Sequence, residues 1–201
     1  MGSAFRLFAE QGYPGISIKD IARACGINSA LIYYYFDNKE HLFVETLKHA
    51  VESASAGRHS SAGAPDDPVT ELNLWFDANE TLAKPLGQML RLMLDYRASR
   101  RRSPPVERLI RCFYATELGL LRSAIRRGTK AGLFRPVHAG KLSLFVSTHL
   151  DGLVAGAAIR PDFDLRAGLR HMRTVLFTYL EYEQRGRNRA AARPDRLQMA
   201  A

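Results

Sequence analysis

Gly26 constrains this chain more than any other residue. It interrupts a segment that otherwise reads as two short helices, Ser17 to Ala24 and Asn28 to Phe36, with Cys25-Gly26-Ile27 as the break. A turn this tight between two helices needs a residue that tolerates positive φ, and glycine does so without steric cost. In the second helix Ile32 and Phe36 are four apart and point inward, which turns Ser29, Ala30, Tyr33 and Tyr34 outward. Tyr33, Tyr34 and Tyr35 are adjacent, so at most one can be fully buried; the other reading of such a run is an aromatic core stripe.

The rest of the sequence follows the same period of 3.6, and no alternation of β type extends beyond a few residues. The expected fold class is all-α with about nine helices. A short first helix carries Phe5, Phe8 and Ala9 and stops at Gly12. Ser17, with Asp20 three positions on, caps the second; Asn28 caps the third; Asp37 or Asn38 caps a fourth running from Lys39 to Ser53. Ser, Gly, Ala, Asp and Pro then dominate residues 54–68, the composition of a connection. Further helices are expected at Val69 to Ala83, Leu86 to Ala98, Pro105 to Thr129, Ala139 to Ile159 and Leu165 to Gln184. This divides the chain into a head (1–53), a connection (54–68), a larger helical domain (69–184) and a basic tail (185–201) with no apolar periodicity, expected to be disordered.

A net charge of +9 suggests a polyanionic partner, but its distribution weakens that inference. In residues 1–50, Arg6, Lys19, Arg23, Lys39 and Lys48 are balanced by Glu10, Asp20, Asp37, Glu40 and Glu45. The excess lies in residues 51–130, with 13 basic against 9 acidic, and in 131–201, with 11 against 6, chiefly at Arg100-Arg101-Arg102 and in the tail. Runs like these are usually solvated, so any nucleic-acid reading must rest on residue pattern. Cys25 and Cys112 are far apart and belong to no Cys/His cluster, which gives no sign of a zinc site or disulfide framework and suits a cytoplasmic protein. No metal or cofactor is expected. The apolar run between Lys141 and Arg160 has His149 and Asp151 at its middle, where a charge is costly in a bilayer; it reads as a buried helix and not a membrane span.

The sequence Phe8-Ala9-Glu10-Gln11-Gly12-Tyr13, then Ser17-Ile18-Lys19-Asp20-Ile21-Ala22, Gly26-Ile27, Tyr33-Tyr34-Tyr35-Phe36 and Lys39-Glu40-His41-Leu42-Phe43 resembles the DNA-binding head of the TetR family of transcriptional regulators in order, spacing and residue type. The resemblance implies a helix-turn-helix head, a homodimer bound to palindromic double-stranded operator DNA, usually as a repressor, and release by a small molecule held in the C-terminal domain. It further implies that Asn28 begins the recognition helix, that Ser29, Ala30, Leu31 and Tyr33 face base edges, and that Tyr34, Tyr35 and Lys39 contact the phosphate backbone, with Ser17 and Lys19 beside them. Lys19 and Arg23 are either phosphate contacts or ordinary solvated charges. The family's first helix is usually longer. Position 29 is often Lys and position 31 often Thr, so this recognition helix carries no cation and must rely on Ser29, Tyr33 and apolar contact of Leu31.

In the C-terminal domain Gly152, Ala155 and Gly156 permit close helix approach, and Leu169, Met172 and Leu176 form an apolar side of the last helix; together they are the expected dimer interface. Ionisable residues interrupt the apolar stripes at Arg97, Glu117 and His149. They either satisfy one another in the core or orient a mainly apolar effector held among Met89, Leu90, Met93, Phe113, Leu121, Phe145 and Leu153. No nucleophile motif or phosphate loop supports an enzyme. The alternative from another class is a helical ligand-binding or scaffold module whose head no longer binds specific DNA.

Overall fold

The computed structural model describes residues 2–59, 67–98 and 103–183, which form helices joined by short turns, with no strand among them. The order is α1 (Gly2–Gln11), α2 (Ile18–Cys25), α3 (Ser29–Tyr35), α4 (Lys39–His59), α5 (Pro68–Thr81), α6 (Ala83–Ala98), α7 (Pro104–Lys130), α8 (Ala139–Ile159) and α9 (Leu165–Tyr179). Most starts are set locally. Asp67 accepts from the N–H of Thr70 at 2.8 Å ahead of Pro68, Asp164 accepts from Arg166 N–H at 2.9 Å, and His138 Nδ1 accepts from Lys141 N–H at 3.1 Å.

Helix α6 starts at Ala83, three residues ahead of the expected Leu86, and two boundaries depart further. Helix α4 does not stop at Ser53 but continues to His59, into the segment whose small and polar residues suggested a connection. Helix α9 ends at Tyr179, five residues before Gln184, because the chain turns at Leu180-Glu181, where Glu181 has φ 55° and Arg135 N–H takes the Leu180 carbonyl at 3.0 Å. The expected disordered tail, the Arg100-Arg101-Arg102 run and residues 60–66 of the expected connection lie outside the described residues.

Two apolar cores result. The first joins the head to the body: Phe8, Tyr13, Ile21, Ile32, Phe43 and Leu47 pack with Met89, Leu92, Met93 and Tyr96 of α6 and with Val106 and Phe113 of α7. The second lies wholly in the body, around Trp75, Leu121, Ile125, Phe134, Val146, Leu150, Leu169 and Leu176. Ion pairs Arg170–Glu80 at 2.7 Å and Arg173–Asp77 at 2.8 Å tie α9 to α5, and Arg127 pairs with Glu71 across α7 and α5. By length and hydropathy α8 could cross a bilayer, but it is packed on α6, α7 and α9.

Between the cores α7 and α8 share their longest contact, and its polar groups answer one another. Ser147 Oγ donates to Glu117 at 2.6 Å, and the Tyr114 hydroxyl donates to Asp151 at 3.0 Å. Glu117 is only 4% exposed. Burial pushes the Tyr114 hydroxyl well up, helped by the charges of Asp151 and Glu117, so it stays a donor. Burial also raises the Asp151 carboxyl, against the lowering effect of the Tyr114 hydrogen bond.

Two stability measurements follow. The Phe134 ring lies flat against Gly128 where a side chain would stand, so Gly128→Ala overlaps the ring and displaces it from the second core. The expected loss is about 1 to 3 kcal/mol in urea unfolding, and an unchanged midpoint would contradict the packing. For Asp151 the native carboxyl holds its proton more tightly than the unfolded chain does, so ionisation costs stability as pH rises through the raised native value. Asp151→Asn, which can still accept from Tyr114, should therefore melt higher than the parent at neutral pH, and the gain should vanish once pH falls below the carboxyl range.

Candidate functional site

The head presents a short helix almost entirely to solvent. Of the seven residues of α3 only Ile32 is buried. Leu31 is 47% exposed, Tyr33 53%, Tyr34 80% and Tyr35 64%. Exposed apolar and aromatic side chains gathered on one element are the signature of a contact surface. Asn28 starts the helix by accepting from Ala30 N–H at 2.9 Å, so its side chain is a cap first. Phe36 is half-buried and packs on the first core.

The element beneath it is equally well specified. Ser17 and Asp20 form a reciprocal capping box on α2: Asp20 N–H donates to Ser17 Oγ at 3.2 Å and Ser17 N–H to Asp20 at 3.0 Å. The Ser17 hydroxyl, then its backbone N–H, holds the Asp20 carboxyl below the usual range. Gly26 ends α2 in the left-handed region, φ 66°, as the break required. Lys19 is exposed, whereas Arg23 is paired with Asp20 at 3.3 Å. Helix α4 is capped by Asn38, which accepts from His41 N–H at 2.9 Å, and not by Asp37. Lys39, at its first position, reaches back so that Nζ lies 4.7 Å from the centre of the Tyr13 ring.

The ten residues expected to hold an effector do not converge. Met89, Met93 and Phe113 belong to the first core, while Leu121, Leu90 and Leu153 belong to or pack on the second. Glu117 lies between, on Ser147. Arg97 is a correction: it is exposed and pairs at 2.9 Å with Glu107 in the first turn of α7, a partner that its place on the α6 stripe did not indicate. Phe145 and His149 are also corrected. They stack on each other at 5.8 Å on the outer face of α8, because α8 is apolar nearly all round and its periodicity did not say which side faces in. Sequence reasoning missed Tyr114 and Ser147 as partners of the acidic groups, although Tyr114 stands three residues before Glu117 on one helix side.

The expected dimer residues separate as well. Gly152, Ala155 and Gly156 lie along the outer side of α8, and a Cβ at Gly152 or Gly156 would meet nothing. Leu169 is 1% exposed in the protomer's own second core, so it is a core residue and not an interface one. Met172 and Leu176 are buried there too but reach the floor of an α8–α9 groove of about 630 Å³, walled by Phe145, His149, His171, Val175 and Tyr179. A smaller cavity of about 270 Å³ lies between head and body, lined by Phe5, Asn79, Leu86 and Met89 among others.

Residues 1–46 match the model of the bacterial regulatory proteins of the tetR family. Over 174 residues, 86% of this chain and 85% of the other, the sequence is 27% identical to the HTH-type transcriptional regulator BetI of Ectopseudomonas mendocina. A TetR transcription regulator from Haloarcula marismortui shares the fold with a TM-score of 0.74 at 23% identity, covering 90% of this chain and 93% of that one. A transcriptional regulator from Saccharomonospora viridis, solved in complex with choline, does so with a TM-score of 0.71 at 25% identity over the same shares. The helix-turn-helix of α2 and α3 lies within the matched residues, so the head is similar to that of the tetR-family regulatory proteins, and the likeness to transcription regulators extends through the body.

Proposed function

We propose that this regulator is a cytoplasmic homodimeric repressor that reads a palindromic operator with α3 and releases it when a small molecule occupies the body. The observation that carries the DNA half is the composition of the α3 surface: five of its seven residues are exposed, Ser29 is half-buried and only Ile32 is buried. Ser29 and Tyr33 supply hydrogen-bonding groups for base edges and Leu31 an apolar contact for a thymine methyl. Tyr34, Tyr35 and Lys39, with Ser17 and Lys19 at the start of α2, position the head on phosphates, where hydroxyls, an ammonium and helix N-termini all find acceptors. The outer face of α8 and α9 supports the dimer: Leu144, Phe145 and Ile159 together with Val175 and Tyr179 are exposed apolar groups, and Gly152 and Gly156 let a second helix approach closely. Two such subunits hold their recognition helices about one duplex turn apart, 34 to 36 Å.

For the effector, the proposed place is the seam between α6, α7 and α8, where Glu117 supplies an orienting group between Met93 and Phe113 of the first core and Leu90, Leu121 and Leu153 on the side of the second, without Arg97, Phe145 or His149. A second reading is favoured by the two acidic side chains of that seam, Glu117 and Asp151, and by the choline complex of the Saccharomonospora viridis regulator: an effector carrying positive charge on an apolar body. The module whose head no longer binds specific DNA is the remaining alternative.

Footprinting on the DNA flanking the gene separates these readings, since protection of a two-fold symmetric site is expected of the repressor and none of the scaffold. Lys39→Ala should weaken binding to all sequences alike and flatten the salt dependence by roughly one unit, whereas Tyr33→Ala should change which sequence is preferred. Equal losses on operator and random DNA for both variants would sink this division of roles. Gly152→Arg places a long cation on the outer face of α8 where it meets nothing in its own chain. It should retain parental helicity and yield a single-subunit mass by light scattering, and a parental protein of single-subunit mass would end the dimer reading.

A further inference from the structure

Tyr13 stands in the turn after α1, its ring 7% exposed. Phe8 stacks near it with centroids 6.0 Å apart, and Phe43 meets it at 4.6 Å with planes inclined at 62°. These two rings leave it little freedom. The Lys39 ammonium lies against the ring 4.7 Å from its centroid, inside the roughly 6 Å over which an aromatic quadrupole attracts a cation. Phe43 is one turn beyond Lys39 on α4, so the same helix is held to the same ring twice, by an apolar edge and by a charge.

The chemistry of this arrangement suits a group that must meet phosphate. A ring face attracts the ammonium through its quadrupole without neutralising it. The four-carbon stem of lysine is flexible, and ordering it when DNA arrives subtracts from affinity. A ring fixed by Phe8 and Phe43 does that ordering beforehand. The ring's own position is set from the body, because Phe43 stacks on Tyr96 at 6.1 Å and 21°, and the Tyr96 hydroxyl takes the Ser103 N–H at 2.6 Å.

We propose that Tyr13 is a positioning residue for DNA binding: its ring seats the Lys39 ammonium at the start of α4, ready for a backbone phosphate. This rests on the phosphate role proposed above for Lys39. Because a phosphate contact is blind to sequence, a short mixed-sequence duplex is a sufficient probe, read by fluorescence anisotropy on the full chain. Tyr13→Phe keeps the ring face and should bind within about twofold of the parent, while Tyr13→Leu should bind about three- to tenfold more weakly. Replacing Tyr13 by 3,4,5-trifluorophenylalanine keeps the ring's shape but drains its face of negative potential, and it should reproduce the loss of Tyr13→Leu with an unchanged melting temperature. In a Lys39→Ala background both losses should disappear. A fluorinated ring that binds like Phe, or a Tyr13→Leu loss of equal size with and without Lys39, overturns the seating role and leaves the phosphate role of Lys39 standing. A Lys39→Ala variant that binds the duplex like the parent overturns both. Should Tyr13→Leu fail to fold, the comparison of Phe with its fluorinated form decides alone.

Discussion

The packing of Phe8, Tyr13 and Phe43, with Phe43 edge-to-face to the other two rings and Phe8 stacked on Tyr13, is the contact on which the head depends. Helices α2 and α3 have eight and seven residues, lengths at which an isolated helix in water is mostly unfolded. They exist because Ile18, Ile21, Ala22 and Ile32 have a preformed apolar centre to land on. Tyr96 closes that centre from the side of α6, so the head is not a bead on a string. Its core runs without a break into the body, and any repacking of α6 is felt by the rings under α2 and α4.

The body balances two kinds of cohesion. Its second core is apolar around Leu121, Ile125 and Val146, but the α7–α8 seam carries a serine, a tyrosine and two acids. Polar groups at such depth contribute little to net stability even when bonded, and they are costly when a partner is lost. Their arrangement is specific to one register of α7 against α8, which gives a sliding of those helices a definite energetic penalty.

What could be read from the sequence was what neighbouring residues decide. The capping box of Ser17 with Asp20, the Asn28 cap, the left-handed Gly26 and the outward tyrosines are short-range features, and each is found where expected. The end of α4 was misjudged because Ala, Ser and Gly in residues 54–57 resemble a linker, while helical continuation to His59 is not written in any stop signal. Facing was the second difficulty. A stripe on one helix states that a side is buried but not against what: Leu169 serves its own core, and Arg97 of α6 finds Glu107 of α7. For α8, apolar on nearly every side, the stripe itself was ambiguous, and Phe145 with His149 turned outward. The seating of Lys39 on Tyr13 joins two elements that no periodicity relates.

The near-complete exposure of α3 separates two properties that most proteins must trade against each other. Only Ile32 of this helix is buried, so substitutions at 30, 31, 33, 34 and 35 fall on a surface where changes usually alter stability by no more than about 0.5 kcal/mol. Mutational drift at those five sites can explore new duplex preferences while the scaffold keeps its margin above unfolding. A head built this way is easily reassigned: a lineage, or a designer, can retarget it by rewriting one helical turn and a half without renegotiating the core beneath.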